Sequence, residues 1–335
     1  MNASHSGKGR AGLRLIAVLG LLAMALVACG GTSSSSTGGK KQYKIAIVLS
    51  ATISVVDDMV VKFKQTLSQD GLDVAYTEYN GQGQNSNAPL IAKEAVQKSP
   101  DLIYVVGTPY VIALAQETKK IPIVFALMTD PVGGKVVQSL DHPGGNLTGT
   151  TDAVDVSVYF DLMKEVMPNV KNVGMIGNIS EQNSSTFINQ SKAVAAQRNI
   201  TVLVAPIAST NDILNAIKSL KGRVDILFTS NDNTVASAIG TVIQVTLNQG
   251  MPLITNGSFG DQGAMLGLGS NIPEHGVASA QAVEKILRDG VKPATIPVYQ
   301  QSVKDADISV NLTSARKLGV TIPQSVLSRA TVTGQ

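Results

Sequence analysis

The sequence contains little of the chemistry on which enzymes and metal proteins depend. It has one cysteine, three histidines and no tryptophan in 335 residues. Because Cys29 is the only cysteine, an internal disulfide is excluded. No set of His, Cys, Asp and Glu has metal-ligand spacing, so we expect no metal site. Outside the first 28 residues the histidines are His142 and His275, and neither follows a predicted strand.

Two glycine-containing stretches approach known motifs without completing them. The stretch GQGQNS at 81–86 lacks the third glycine of a dinucleotide fingerprint. The stretch GSFG at 257–260 lacks a spacing residue of the nucleophile elbow, and no P-loop is present. We therefore expect no cofactor and no enzymatic activity. A hydrolase would need a nucleophile, a base and an acid that the sequence does not bring together.

Aromatic residues make up only 4% of the chain, and this disfavours a sugar ligand, whose apolar face is commonly stacked on an aromatic ring. Tyr110 and Phe259 follow predicted strands, and each could form the wall of a pocket or pack in the core. Phe125 and Phe228 lie within predicted strands and are expected in the core.

Charged residues are scarce, at 15% of the chain, and the formal net charge of +3 comes from one end of it. Lys8, Arg10 and Arg14 belong to the first 28 residues, which contain no acid. The remaining 24 bases balance 24 acids. A neutral body gives no reason to expect nucleic acid or an anionic surface as a partner.

The first 28 residues have the pattern of a signal peptide, with a basic start and an apolar run at 15–28. The run is shorter than the ~20 residues of a membrane span. It ends in Leu-Val-Ala-Cys, which resembles a bacterial lipobox, so we predict acylation of Cys29. Residues 29–42 would then be a flexible tether to the cell membrane, on its extracytoplasmic face.

From residue 43 onward, apolar strand-like runs alternate with helix-like stretches. Four such units precede the loop DHPGGNLTGT at 141–150, the last of them with a short helix at 133–140, and the alternation then resumes. Strands that are apolar on both faces indicate parallel sheets covered by helices. The sequence therefore predicts an α/β protein of two similar Rossmann-like lobes, with a C-terminal helical tail at 313–335.

Polar side chains follow most of the predicted strands, where ligands bind in parallel sheets. Helix capping explains one such residue for each strand, but not three to six. We take these strand-end residues as candidates for ligand binding: Ser50, Thr52, Thr108, Pro109, Thr129, Asp130, Ser180, Glu181, Asp232, Asn233 and Ser258.

Three stretches resemble the substrate-binding lipoproteins of ABC importers, in the branch related to tryptophan-type amino-acid binders. They are IPIVFALMTDPVGGKVVQSLDHPGGNLTG at 121–149, NISEQNSS at 178–185 and FTSNDNTVASA at 228–238. The resemblance implies a type I periplasmic-binding-protein fold with three crossings, near 149–154, 267–270 and 292–296. It implies lobes at 43–152 with 270–293 and at 153–269 with 294–312, and it adds Asn183 and Ser184 to the cleft. At 271–274 this chain has Asn-Ile-Pro-Glu where relatives often have an aromatic pair.

We therefore expect a monomeric solute-binding lipoprotein that delivers a small ligand, an aromatic or branched amino acid, to an ABC permease. Ser50 and Thr108 would bind its carboxylate, and Asp130 or Glu181 its ammonium. Asp232 and Asn233 would hold the second lobe closed. The alternatives are a surface lipoprotein that reports ligand occupancy to a signalling receptor, or a binder of nucleosides or sugars.

Overall fold

The structure is a computed structural model that describes residues 41–301 and 306–334. The predicted signal peptide, the acylation of Cys29 and the tether up to residue 40 lie outside the described residues. Four hydrophobic clusters fill the described part, and their members all lie between Ile45 and Ala330. The described residues therefore pack around hydrophobic cores of their own.

The first stretch of the chain forms five parallel strands with three intervening helices. Their bounds are β1 Gln42–Leu49, α1 Ser54–Gln69, β2 Asp73–Asn80, α2 Ala88–Gln97, β3 Leu102–Val106, α3 Thr108–Glu117, β4 Ile123–Ala126 and β5 Leu147–Thr151. A 3-10 turn at Asn85–Asn87 precedes α2. Strands β3, β4 and β5 are buried at every residue because helices cover both faces of the sheet.

The second stretch repeats the pattern. Its elements are α4 Val156–Val166, β6 Asn172–Asn178, α5 Gln182–Ala196, β7 Thr201–Ile207, α6 Ile213–Leu220, β8 Ile226–Thr229, α7 Asn233–Ser237, α8 Ile239–Gln249, β9 Leu253–Asn256 and β10 Leu266–Gly269. A 3-10 turn at Thr210–Asp212 precedes α6. Tyr159, Phe160, Phe187 and Phe228 pack edge to face at its core.

The last stretch completes both lobes. Its elements are α9 Ile272–Leu287, β11 Tyr299–Gln300, β12 Asp307–Asn311, α10 Leu312–Lys317, α11 Gln324–Leu327 and β13 Ala330–Thr333. The first sheet has the order β11-β5-β4-β3-β1-β2, and the second has the order β13-β12-β10-β9-β8-β6-β7. All described pairs are parallel except β10 with β12.

The chain passes between the sheets three times, and the third passage differs from the predicted one. The first two occur at 152–155 and 270–271, between β5 and α4 and between β10 and α9. The third was predicted near 292–296, with 294–312 in the second lobe. Instead, β11 pairs with β5, so the chain leaves the first sheet only after Gln300.

The C-terminal segment also differs from the predicted helical tail. It contains α10 and α11 but ends in β13, which pairs with β12 along the edge of the second sheet. The predicted helix at 133–140 is a series of turns. Among the described residues, no helix is both long and apolar enough to span a membrane.

Candidate functional site

A cavity of about 230 Å3 lies between the two lobes, at the carboxyl ends of their strands. This volume is below the ~300–1,000 Å3 of sites for drug-sized ligands, so the cavity suits a smaller molecule. Six of the thirteen predicted binding residues line it: Ser50, Thr108, Asn183, Asp232, Asn233 and Ser258.

The backbone conformation at Gly107 brings Ser50 and Thr108, the two predicted binding residues of the first lobe that line the cavity, close together. Gly107 lies between β3 and α3 with a φ of 109°, a conformation that disfavours any side chain. A Cβ there would be 2.6 Å from the Cβ of Ser50. The glycine therefore lets Ser50 lie beside the N-terminus of α3, where Thr108 is the first helical residue. Pro109 has no N–H, and the N–H groups of Tyr110 and Val111 donate to the carbonyl oxygen of Gly107, so the helix dipole and Thr108 are what would favour an anion here.

The charged residues that line the cavity are all acids. They are Asp58, Asp152, Asp232 and Asp307, and no Lys, Arg or His is among the described lining residues. Such a lining favours a ligand that carries a positive charge.

Among the lining acids that the structure describes, Asp152 is the one with a buried carboxylate oxygen that lacks a partner. Its Oδ2 accepts a hydrogen bond of 3.2 Å from Nδ2 of Asn231. Its Oδ1 is shielded from solvent and has no hydrogen-bond partner among the described residues. Burial raises the pKa of the Asp152 carboxyl to about 6, against the lowering effect of its hydrogen bonds to Asn231 and Thr129. The carboxylate thus lacks a counter-charge.

Sequence reasoning did not select Asp152. The residue directly follows β5, and its segment was interpreted as a crossing between lobes rather than as a strand end with a binding role. The signal was present, since an acid follows the strand Leu147–Thr151 just as Asp130 follows β4.

Two further buried polar atoms in the lining lack partners among the described residues. They are Oγ of Ser270, at the second crossing, and Oδ1 of Asn183, at the start of α5. Buried polar groups are normally satisfied, so unpaired atoms in residues that line a cavity point to the side chains with which a bound molecule would make hydrogen bonds.

The rest of the lining is largely apolar. Ile53, Val56, Leu127, Phe259 and Ile272 supply side chains from both lobes. Of the two aromatic candidates, Phe259 lines the cavity, whereas Tyr110 is fully buried in the first lobe. The hydroxyl of Tyr110 donates to the carbonyl oxygen of Gln84 at 2.7 Å.

Hydrogen bonds across the cleft hold the lobes together. Oγ of Ser50 donates to Oδ1 of Asn233 at 2.9 Å, and Nδ2 of Asn231 donates to Oγ1 of Thr129 at 2.7 Å. Two more bonds run from Asn85 to Glu181 and from Gln182 to Asp130. Thr129, Asp130 and Glu181 therefore lie at the contact between lobes and do not line the cavity.

Glu181 has no capacity left for a ligand ammonium. One carboxylate oxygen accepts from the backbone N–H and side-chain amide of Asn233, at 2.9 and 2.7 Å. The other accepts from Asn85 and from the N–H and hydroxyl of Thr234, at 3.0, 3.1 and 2.8 Å. Asp130 likewise accepts from Gln182 and, at 2.7 Å, from the N–H of Gly133. The prediction that one of them binds an ammonium is not supported by this geometry.

Asp232 lines the cavity but is occupied with local structure. Its Oδ1 caps α7 by accepting from the N–H of Val235 at 2.5 Å. Its Oδ2 accepts from Asn178, Ser230 and Ser184. Burial, and then the nearby Glu181 carboxylate, raise the pKa of Asp232.

Four other predicted residues do not line the cavity. Thr52 accepts from Asn80 at 3.0 Å, and Pro109 occupies the first turn of α3. Ser180 donates to Asn178 at 2.6 Å, and Ser184 bonds Ser230 and Asp232. These side chains shape the strand ends rather than the lining. Ser258 does line the cavity, and its hydroxyl donates to the backbone of Asp307.

Comparison with known proteins decides the family. A family model described as ABC transporter substrate binding protein matches residues 44–333. The chain belongs to this family. Its members bind solutes outside the cytoplasm and are not enzymes, so this chain is a solute-binding protein.

Two relatives have informative ligands. A tyrosine-binding protein of Clostridioides difficile is 30% identical over 284 residues, which cover 83% of this chain and 81% of the relative. A Streptococcus pneumonia ABC domain solved in complex with L-Trp is 30% identical, with a TM-score of 0.82. That match covers 87% of this chain and 99% of the other. The predicted type I periplasmic-binding-protein fold is thereby confirmed.

The lobes of this chain are closed. A ligand-free, open substrate-binding protein with adhesive properties from Clostridium difficile is 28% identical and covers the same 87% of the chain. Its TM-score is 0.65, lower than the 0.82 of the L-Trp complex at nearly equal identity. The hydrogen bonds between lobes agree with a closed cleft.

Proposed function

We propose that this protein binds a single amino acid with an aromatic or branched side chain in the closed cleft and delivers it to an ABC permease. The observation that carries the proposal is that Asp152 lines a cavity with no cation among its described lining residues and has a shielded carboxylate oxygen, Oδ1, without a partner. A ligand ammonium would supply the missing counter-charge. A neutral sugar or nucleoside would leave that carboxylate uncompensated.

The ligand carboxylate would lie at the opposite polar surface, against Ser50, Thr108 and the N-terminus of α3. The Thr108 hydroxyl and the dipole of α3 would stabilise a carboxylate without any cationic side chain, whereas the Ser50 hydroxyl already donates to Asn233 in this structure. Ser270 and Asn183 would take the remaining hydrogen bonds of the zwitterion. This assignment keeps Thr108 in its predicted role, leaves Ser50 as a neighbour of the ligand and a bond between lobes, and replaces Asp130 and Glu181 by Asp152.

The ligand side chain would pack against the apolar lining formed by Ile53, Val56, Leu127, Phe259 and Ile272. Burial of such a side chain contributes about 1.5–3 kcal/mol. Two relatives that are each 30% identical to this chain, a tyrosine-binding protein and a protein solved in complex with L-Trp, support an aromatic ligand.

Asp152 and Ser270 lie in two of the three crossings, so the ligand would contact the hinge itself. A ligand that enters the open cleft would contact Asp152 at the first crossing. Closure then brings Asn233 to Ser50 and Asn231 to Thr129. The ligand favours the closed state because only that state surrounds it from both lobes.

We also propose that Cys29 is acylated and that residues 29–42 tether the protein to the extracytoplasmic face of the membrane. The lipobox-like Leu-Val-Ala-Cys supports the acylation. A tether would keep the closed form close to its permease. Mass spectrometry of the membrane-extracted protein tests this: a diacylated or triacylated Cys29 at the N-terminus supports the anchor, and an unmodified Cys29 contradicts it.

A thermal-shift screen of residues 30–335 tests the ligand class. Amino acids, nucleosides and sugars are added separately at equal concentration. Saturating ligand stabilises the folded state by about 2.7 kcal/mol at a hundred times its Kd, which raises Tm by several degrees. The proposal predicts this shift with an aromatic or branched amino acid. A shift with sugars or nucleosides alone would contradict it.

A further inference from the structure

The neutral net charge of the body conceals an uneven distribution in the second lobe. The segments that follow β6 and β8 supply lining residues of the cavity, and β7 runs parallel to β6, so the first residues of all three strands lie at the opposite, outer end of the lobe. Their starts are in register, with Asn172 opposite Thr201 and Val173 opposite Ile226. The three loops that precede these strands therefore lie side by side at the outer end.

Six cations lie in these loops or in the last turns of the helices that lead to them. We call them the basic pole: Lys164, Lys171, Arg198, Lys218, Lys221 and Arg223. All but Arg198 are exposed, and Arg198 is partly buried. Nζ of Lys164 donates to the carbonyl oxygen of Arg198 at 3.2 Å, so cations of different elements meet here.

Nearby acids neutralise only part of the basic pole. Asp161 forms an ion pair with Arg198, and Glu165 forms one with Arg329, which lies outside the pole. Asp225 accepts from the backbone N–H groups of Lys171 and Asn172, both at 2.8 Å. Among the described residues, Lys171, Lys218, Lys221 and Arg223 form no ion pair.

Helix capping accounts for only part of this arrangement. Lys164 and Lys218 occupy the last turns of α4 and α6, where a cation complements the helix dipole. Lys171, Lys221 and Arg223 lie beyond the helix ends. Arg223 still donates to the carbonyl oxygen of Ser219 in the last turn of α6, at 3.2 Å, whereas no described side-chain hydrogen bond or ion pair engages the exposed ammonium groups of Lys171 and Lys221.

We propose that the basic pole binds an anionic bilayer surface, through the phosphates of lipid headgroups. Each Lys or Arg near such a surface contributes about 1 kcal/mol, so several together suffice for weak, reversible attachment. Beside Lys171, the loop 167–169 exposes Pro168 and part of Met167 next to a shallow groove, a small apolar contact for the interface.

The position of the basic pole gives the attachment a geometric consequence, which rests on the proposed lipid anchor. The described chain begins at Lys41, just before β1, at the outer end of the first lobe. A lipid anchor before residue 41 and a basic pole on the second lobe would give the protein two separate contacts with the membrane. Stable attachment generally takes two such signals.

Vesicle co-sedimentation of residues 30–335 tests the basic pole without the lipid anchor. We expect binding to vesicles of phosphatidylglycerol and phosphatidylcholine in equal parts, none to pure phosphatidylcholine, and release by high salt. The triple variant Lys171→Glu, Lys221→Glu, Arg223→Glu removes three contributions, so its partition coefficient should fall at least about a hundredfold. Amino-acid binding by this variant should be unchanged, because the pole is remote from the cavity.

A matched control carries Lys62→Glu, Lys93→Glu and Lys135→Glu, three exposed lysines of the first lobe. It has a similar change in net charge and should keep most of the vesicle binding. Equal losses in the two variants would show a non-specific effect of net charge and overturn the proposal. Binding to a soluble DNA duplex that matches or exceeds vesicle binding would also overturn it. Failure of ligand binding with retained vesicle binding would instead contradict only the proposed function.

Discussion

At the scale of single residues, two nearby carboxylates have opposite roles because their partners differ. Glu181 accepts five hydrogen bonds and stiffens the contact between lobes. Asp152 has one unpartnered oxygen at the cavity. Sequence reasoning cannot count hydrogen-bond partners. It identified acids at strand ends correctly as a group but did not separate the occupied acid from the available one.

Replacing Asp152 by Asn should weaken amino-acid binding about ten- to hundredfold. The change keeps the size of the side chain and removes the charge, and a hydrogen bond to a charged group contributes about 1.5–3 kcal/mol. Isothermal titration calorimetry with the best ligand of the thermal screen measures the loss. The control Asp130→Asn lies outside the cavity and should change affinity much less. A larger loss of affinity for Asp130→Asn than for Asp152→Asn would show instead that Asp130 binds the ammonium, as the sequence predicted.

Acid should weaken binding through Asp152. Its pKa of about 6 in the ligand-free protein means that the carboxyl is protonated at about pH 5, whereas a bound ammonium favours the ionised form. Binding at about pH 5 must therefore release a proton, and affinity should fall up to about tenfold for each pH unit below 6. Calorimetry in buffers of different ionisation heat measures the release. An affinity that does not change between about pH 5 and 8 would contradict a role for Asp152 in this pH dependence. Release of the same number of protons when ligand binds Asp152→Asn would contradict it too.

The same pKa has a consequence for stability of the ligand-free protein. Because the folded-state pKa lies above the usual value near 3.8, ionised Asp152 opposes folding above about pH 6, and this cost vanishes below about pH 4. Asp152→Asn should therefore be more stable than the natural protein at neutral pH and equally stable in acid. Urea unfolding at both pH values measures the difference. A variant that is less stable at neutral pH would show that Asp152 supports the fold.

At the scale of elements, the alternation of strands and helices predicted the two lobes because both faces of each sheet are covered. The predictions differ from the structure where strand pairing between distant segments, or hydrogen bonding within a turn, determines the local conformation. Residues 133–140 form turns because Asp130 accepts from the N–H of Gly133 directly after the strand. Strand β11 has only two residues, and a segment that short has no hydrophobic periodicity from which its pairing with β5 could be predicted.

The turn between β3 and α3 should depend on Gly107. Alanine there would bring Cβ within 2.6 Å of Ser50 at a φ of 109°, and such strain costs about 1–3 kcal/mol. We expect Gly107→Ala to unfold at lower urea concentration and to bind ligand more weakly, because Ser50 must move. Gly145→Ala is the control, since nothing lies within 4 Å of its added Cβ. Equal stability of the two variants would exclude the close approach.

At the scale of the whole molecule, closure should depend on a few hydrogen bonds between lobes. Asn231 donates to Thr129 at 2.7 Å and to Asp152 at 3.2 Å. Asn231→Ala removes both bonds and should shift the lobes toward the open state. Small-angle scattering should then give a larger radius of gyration for the variant than for the natural protein with ligand. An unchanged radius would show that other contacts control closure.

The whole-molecule scale also shows what composition leaves out about charge. Equal numbers of acids and bases gave no reason to expect an anionic partner, and that expectation stands against the proposed role of Lys171, Lys221 and Arg223, which precede neighbouring strands of one lobe. The acids that balance them include Asp152 and Asp232 at the cavity. A net charge is a sum over the surface and does not reveal such separation.

The most direct test compares two ligands that differ only in the amino group. Residues 30–335 are titrated by calorimetry with L-tyrosine or L-tryptophan, whichever binds more tightly, and with the same acid without its amino group. If an ammonium completes the pair with Asp152, the amino acid binds at one site per protein and its analogue binds at least about tenfold more weakly. Equal affinity of the two compounds would contradict the proposed pairing of a ligand ammonium with Asp152.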